Sequence, residues 1–140
     1  NYANHRRYML MFHGVLFPLL AATFIGSVVN LVKSLGDHQR LYSAALIVAL
    51  TFSALILMVL SRVSALKAQD RAIRAEENLR HFALTGKLFD ARLTVRQVIG
   101  LRFAPDEEFV ELARQAADQN LSEDQIKRAV KNWKADTYRV

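Results

Sequence analysis

The 140-residue sequence predicts an all-α membrane protein: a two-helix transmembrane hairpin, then a long cytoplasmic helix and a small helical C-terminal region. Three observations predict it. No charged residue occurs from Phe12 to Val32, and none from Leu41 to Ser61. The connection between these runs, Lys33 to Leu41, is short. Beyond Arg62 the composition turns polar and helix-forming, with no Gly or Pro before Gly86. The expected layout is a basic arm at 1–11, a hairpin at 12–61 with spans 12–32 and 41–61 around a loop at 33–40, and a cytoplasmic helical region at 62–140.

The first run reads MFHGVLFPLLAATFIGSVVNLV and the second LYSAALIVALTFSALILMVLS. At about 1.5 Å per residue, roughly 20 residues cross a hydrocarbon layer of about 30 Å. Lipid offers the backbone no hydrogen-bond partner, so each run is expected to be helical. The first run is basic-flanked, as signal peptides are. It is also long and followed by a second span, so a retained membrane helix is expected. Pro18 lacks an N–H and forfeits the bond to the Gly14 carbonyl. Either a kink arises there, or a separate segment precedes a span that starts near Leu16. In the loop, Gly36 is expected to end the first helix and Asp37 to start the turn.

A loop this short makes the spans antiparallel neighbours, with both termini on one side. Lys and Arg near the span ends set the side. Arg6 and Arg7 lie in the arm, and Arg62, Lys67, Arg71 and Arg74 follow the second span; the loop has only Lys33 and Arg40. Both termini are therefore expected to be cytoplasmic. The same six flanking residues are candidate contacts for lipid headgroups or a partner. The net charge of +6 follows this layout and suggests a membrane surface rather than nucleic acid. Tyr8, Phe12, Phe17 and Tyr42 fall near the expected interfaces.

Small and polar residues recur every four positions in the first span, at Gly14, Pro18, Ala22, Gly26 and Asn30. Ala45, Ala49 and Ser53 do the same in the second. Small residues permit close helix approach. These stripes are expected either to pack the hairpin on itself or to bind a second copy or another membrane subunit. Neither span interior carries Asp, Glu, Lys or Arg, which argues against an ion carrier.

In the cytoplasmic region, Asp70–Arg74 and Glu76–Arg80 form acid-first i,i+4 pairs, and Gly86 ends the long helix. Its apolar set, Leu66, Ile73, Leu79 and Phe82, is sparse for a coiled coil. Thr94 is expected to cap VRQVIGLRF. Pro105, at a first helical position before Asp106, Glu107 and Glu108, marks another start; Phe109, Leu112, Ala113 and Ala116 make its apolar face. Ser122 with Gln125 forms a capping box, with Leu121 and Ile126 as its staple, and Ile126, Ala129, Val130 and Trp133 face inward. The last two helices suggest a helix-turn-helix lined by Lys127, Arg128, Lys131 and Lys134. Its first turn holds Glu123 and Asp124, where base-reading residues sit, so nucleic acid is not the expected partner.

The chain has no cysteine, which excludes disulfides, thiolate catalysis and cysteine-bound metals. It also lacks a phosphate-binding glycine loop, a zinc-protease helix motif and a nucleophile elbow. Glu77 and His81 are half of a metal site with no spaced partners. His13 leaves a haem or pigment near the interface open. No cofactor, metal or catalytic residue is assigned.

The segments NYANHRRY, ALKAQDRAIRAEENLRHFALTGK, IGLRFAPDEEF and LSEDQIKRAVKNWKADTYRV, in this order around two spans, resemble a family of small bacterial membrane proteins, a domain of unknown function. The resemblance implies a multi-pass protein of the bacterial cytoplasmic membrane with a conserved tail, and no activity. The expected role is a non-enzymatic protein that self-associates or serves a larger membrane complex as an accessory subunit. Its partners would be membrane lipids and either itself or other membrane subunits. The alternatives are a homo-oligomeric pore or transporter component and, behind it, a membrane-tethered nucleic-acid binder.

Overall fold

A computed structural model describes Tyr2 and residues 9–134 of the chain. A π-helical segment, Leu10–Leu16, leads into α1, Phe17–Lys33. Then come α2 (His38–Thr85), α3 (Val95–Leu101), α4 (Asp106–Gln119) and α5 (Glu123–Ala129). Among the described residues there is no strand. Two compact units divide the chain. The first ends at Ser64, partway along α2; the second begins at Ala65 and includes Tyr2.

The first unit shows what Pro18 does. The Phe17 N–H donates to the Phe12 carbonyl, five residues back, and regular α-helix begins at Phe17 with Pro18 in its opening turn. A proline there gives up a donor that a helix start leaves unused anyway. The separate preceding segment expected as one outcome at this proline is not formed: helix runs continuously from Leu10 to Lys33 and changes from a wider to a regular form just before Pro18. The other end differs from expectation. Helix α1 stops at Ser34, whose N–H bonds to the Asn30 and Leu31 carbonyls and whose hydroxyl donates to Asn30 at 2.9 Å. Gly36 does not take the left-handed conformation that would have made it the stop. Asp37 does not start the turn, which lies at 34–36, but caps α2: its carboxylate accepts from the Gln39 and Arg40 N–H groups at 3.0 and 3.3 Å.

Helix α1 touches the first part of α2. The Ser27 and Thr51 hydroxyls lie 3.0 Å apart, and the Phe24 and Phe52 rings are 5.8 Å apart. Burial follows a three-four spacing through Phe24, Ser27, Leu31 and Ser34 on one side and Ala44, Val48, Thr51, Leu55 and Met58 on the other. This spacing has the seven-residue rhythm of contacting helices.

In the second unit, α2 runs on without a break to Thr85. It stops at Gly86, as expected, with φ +72 and its N–H on the Phe82 carbonyl at 2.8 Å. The Asn78 side chain accepts from the Phe89 N–H at 2.8 Å and brings the following loop back along the helix. Capping boxes start both α3, through Thr94 and Gln97, and α5, through Ser122 and Gln125. Pro105 is the residue before α4 rather than its first helical one; its extended backbone leaves Asp106 to open the acidic first turn. Asn120 closes α4 in the left-handed conformation at φ 48.

The core forms around Phe109, Leu101, Ile126 and Val98, which are almost completely buried. Burying each such side chain contributes about 1.5–3 kcal/mol. Ile73 joins this core from α2, while Leu79 and Phe82 stay exposed. Gly100 lets α3 approach α5: a Cβ there would lie 3.1 Å from both the Glu123 carbonyl oxygen and the Ile126 side chain. Trp133 stacks on Phe103 at 4.8 Å, and the Lys134 N–H donates to the Phe103 carbonyl at 2.8 Å. The last described residues are thereby tied to the α3–α4 turn.

Candidate functional site

The most extensive exposed surface of α1 and the first part of α2 is apolar. Two helical stretches, Leu10–Lys33 and His38–Thr85, contain segments long and apolar enough to cross a membrane. Only 6% of the first apolar window and 17% of the second is buried within the chain. Leu19, Ile25, Leu50 and Leu57 are each at least 60% exposed. Core helices of soluble proteins hide such residues, and an exposed apolar patch this large marks a contact surface.

The stripes read from the sequence lie on this surface. Gly14 is in the π-helical segment, and Pro18, Ala22, Gly26 and Asn30 follow along α1; all five are exposed. Ala45, Ala49 and Ser53 on α2 are exposed too. The stripes therefore do not lie where α1 meets α2, so the first of their two expected uses is not the one adopted. Ser27, Thr51 and their larger apolar neighbours occupy that seam instead. Their branched and aromatic side chains follow a seven-residue rhythm, whereas a strict four-residue stripe drifts around the helix.

Of the basic candidates, Arg6 and Arg7 lie outside the described residues. Arg62 is half-buried, with a guanidinium nitrogen 3.2 Å from the Met9 sulfur and its charge 5.5 Å from the Phe12 ring centre. Lys67, Arg71 and Arg74 are exposed on α2. His13 keeps Nδ1 3.1 Å from the Met9 carbonyl oxygen.

The second unit is organised around Arg80. Its side chain is 14% exposed and donates to Asp106 at 2.7 Å, Glu77 at 3.0 Å and the Ala104 carbonyl at 2.9 Å. The guanidinium also lies 4.1 Å above the Phe109 ring. Helix α2, the α3–α4 turn and the α4 N-terminus are thus joined through one side chain. The expected Glu76–Arg80 pair is replaced by these contacts, because Arg80 points to α4. Glu77 is committed to Arg80, while His81 Nδ1 lies 2.8 Å from the Lys87 carbonyl oxygen. The two do not form a ligand pair.

A cleft of about 590 Å³ lies between the end of α2, the following loop and α4. Phe89, Leu93, Val110 and Ala113 are among its apolar lining residues, and Lys87, Asp90, Arg92, Arg114 and Asp118 its charged ones. Asp90, Arg92, Arg114 and Asp118 are mutually engaged. The Arg92 side chain holds Asp90 down to about 2, and Arg92 is itself raised, chiefly by its hydrogen bond to Asp90. Arg114, with Gln115, holds nearby Glu111 at about 2. The cleft offers an apolar contact with a rim of paired ions.

Two further interactions anchor chain ends. Glu108 accepts from the Lys131 and Asn132 N–H groups at 2.9 and 3.0 Å, and the Lys131 bond is the chief reason its carboxyl is lowered. The Tyr2 hydroxyl donates to Asp124 on α5, lowering that carboxyl, and Arg128 lies 4.9 Å above the Tyr2 ring. Sequence reasoning missed the long-range contacts of Arg80, Gln97 and Tyr2. Each acts across 19 or more positions, so no local spacing reveals it.

The model of a family of unknown function, DUF6526, matches residues 1–140, the whole sequence given. The chain belongs to this family. No curated protein and no solved structure matches it. Membership brings no activity to assign to the Arg80 cluster, the cleft or the apolar surface, so their roles rest on their physical chemistry.

Proposed function

We propose that this family member is a non-enzymatic integral membrane protein whose α1 and first part of α2 form a helical hairpin across a bacterial cytoplasmic membrane, and that it self-associates or serves as an accessory subunit of a larger membrane complex. One observation carries the reading: the apolar windows of both helices are almost wholly uncovered by the rest of the chain. In water, roughly 25 cal/mol per Å² of that surface would oppose the arrangement; in hydrocarbon the penalty disappears.

Cytoplasmic termini are supported by the basic residues that follow the second span, with only Lys33 and Arg40 near the connection. The hydrogen bond of Tyr2 to Asp124 agrees with an N-terminus on the same side as the C-terminal unit. The second unit, with its paired cleft rim and Arg80 cluster, is the part suited to meeting partners in the cytoplasm.

Because the chain has no native cysteine, single cysteines report topology cleanly. The variants are Gly36→Cys in the connection and Lys134→Cys near the end. Expressed in bacteria, the protein should stay with carbonate-washed membranes. In intact spheroplasts a membrane-impermeant maleimide should label position 36 and reach position 134 only after lysis. Release by carbonate would refute the membrane reading; the opposite labelling would refute the orientation.

A further inference from the structure

Helix α2 presents two different faces within the second unit. One is covered: Ile73 is buried, and Glu77 and Arg80 turn toward α4. The other carries Ala68, Ala72, Ala75, Leu79 and Phe82, all exposed, with Leu79 at 68% and Phe82 at 48%. These five follow steps of four, three, four and three. That is the spacing of the contact positions of a two-stranded coiled coil, sustained for about 21 Å of helix. Ile73, which is buried, and Leu66, at 37% exposure, fall outside it, so the four-three spacing and not exposure alone defines this face.

We infer that this face of α2 is where a second copy of the same chain docks, as a parallel pair of helices. Charge complementarity selects both the partner and the orientation. Arg71 precedes the contact position Ala72, and Glu76 follows the contact position Ala75. In a parallel two-stranded arrangement these flanking positions, five residues apart, meet across the interface. Arg71 of each copy then faces Glu76 of the other, and the twofold relation makes the pair twice. Both side chains are exposed, and among the described residues neither is engaged in an ion pair within its own chain. Leu79 and Phe82 supply the larger apolar contacts at one end. Ala68, Ala72 and Ala75 let the backbones come close at the other.

The inference rests on the membrane reading in one respect: two copies inserted the same way in one bilayer have parallel α2 helices. Insertion also confines them to a plane, which raises their effective concentration for a contact of only two heptads.

The test uses the full chain in native vesicles, with single cysteines at two contact positions, Ala72→Cys and Ala75→Cys, and at two exposed positions off the face, Lys67→Cys and Arg74→Cys. Mild copper–phenanthroline oxidation should give disulfide dimers several-fold faster from positions 72 and 75 than from 67 and 74. Absence of dimers, or equal rates at all four positions, overturns the inference. In the Ala75→Cys background, Arg71→Glu or Glu76→Arg alone should slow cross-linking roughly two- to tenfold, and the two together should restore it. Failure of that rescue overturns the parallel register. Retention in carbonate-washed vesicles is scored separately. Its loss would count against the membrane reading, whereas position-independent cross-linking in retained protein counts against the dimer alone.

Discussion

Replacing Arg80 with methionine isolates the role of the most connected side chain in the second unit. Arg80→Met keeps an unbranched apolar stem against Phe109 but removes every donor. The Glu77 carboxylate, 12% exposed, loses its cation, and the Ala104 carbonyl loses its partner. Asp106, at 61% exposure, simply returns to water. Removing one member of a buried ion pair costs about 3–5 kcal/mol, and an orphaned buried acceptor about 1–3. The contributions overlap, and water still reaches part of Glu77, so the expected loss is about 2–4 kcal/mol. Trp133, the sole tryptophan, is stacked on Phe103 and reports on this unit alone. Urea titration of the full chain in mild detergent, followed by its fluorescence, should show a lower midpoint at unchanged slope. Arg80→Lys should fall between, because an ammonium keeps the charge but not the planar fork or the stacking. A loss below about 1 kcal/mol in the methionine variant, well under the cost of breaking a buried pair, would refute the reasoning; so would a lysine variant as stable as the parent.

Gly100→Val should destabilise the same transition by about 1–3 kcal/mol, since the new branches meet the Glu123 carbonyl and Ile126 on α5; Gly100→Ala should cost less, because alanine's helix preference of about 1 kcal/mol offsets the tighter contact. Gln97→Leu should cost about 2–4 kcal/mol, because the Thr94 N–H and the Ala116 and Leu121 carbonyls all lose a bond to that buried amide; an unchanged urea midpoint would count against the assignment. Acidification should weaken the second unit. Asp90 and Glu111 titrate lower in the folded chain than their ordinary values of 3.8 and 4.5, each at about 2. The unfolded chain therefore binds more protons in that window, and the stabilisation present above it is lost as the pH falls from about 4.5 toward 2. A Trp133-monitored midpoint that stays flat across this range would contradict the assignment.

The sequence carried the local part of the structure clearly. Capping boxes at Thr94 and Ser122, the stop at Gly86 and the buried face Phe109, Leu112, Ala113 and Ala116 all lie where residue chemistry places them. These features depend on neighbours within a turn or two. The seam between α1 and α2 was less legible because every residue near it is apolar or small, and hydrophobicity alone cannot tell a contacting side from an uncovered one. Of the inward set expected for the last helix, Ile126 and Val130 are buried but Ala129 is exposed. Helix α5 ends at Ala129, so Val130 reaches the core from extended backbone rather than from a helical face. Arg80 looked like a solvated helix residue until α4 supplied Asp106 and Phe109 from 26 and more positions away.

The Ser27–Thr51 contact has a property that its length does not announce. Each hydroxyl also reaches a carbonyl of its own helix, Ser27 to Phe24 at 2.7 Å and Thr51 to Ile47 at 2.9 Å. Thr51 also reaches the Val48 carbonyl at 3.1 Å, so the two protons have more acceptors than they can serve, and either hydroxyl can donate across while the other donates backward. Removing one hydroxyl strands nothing, because the survivor keeps its own carbonyl. The pair therefore adds little to cohesion and much to alignment: sliding one helix past the other by a turn, about 5.4 Å, would set each hydroxyl against hydrocarbon. It works as a latch that records position, with the surrounding side chains supplying the grip.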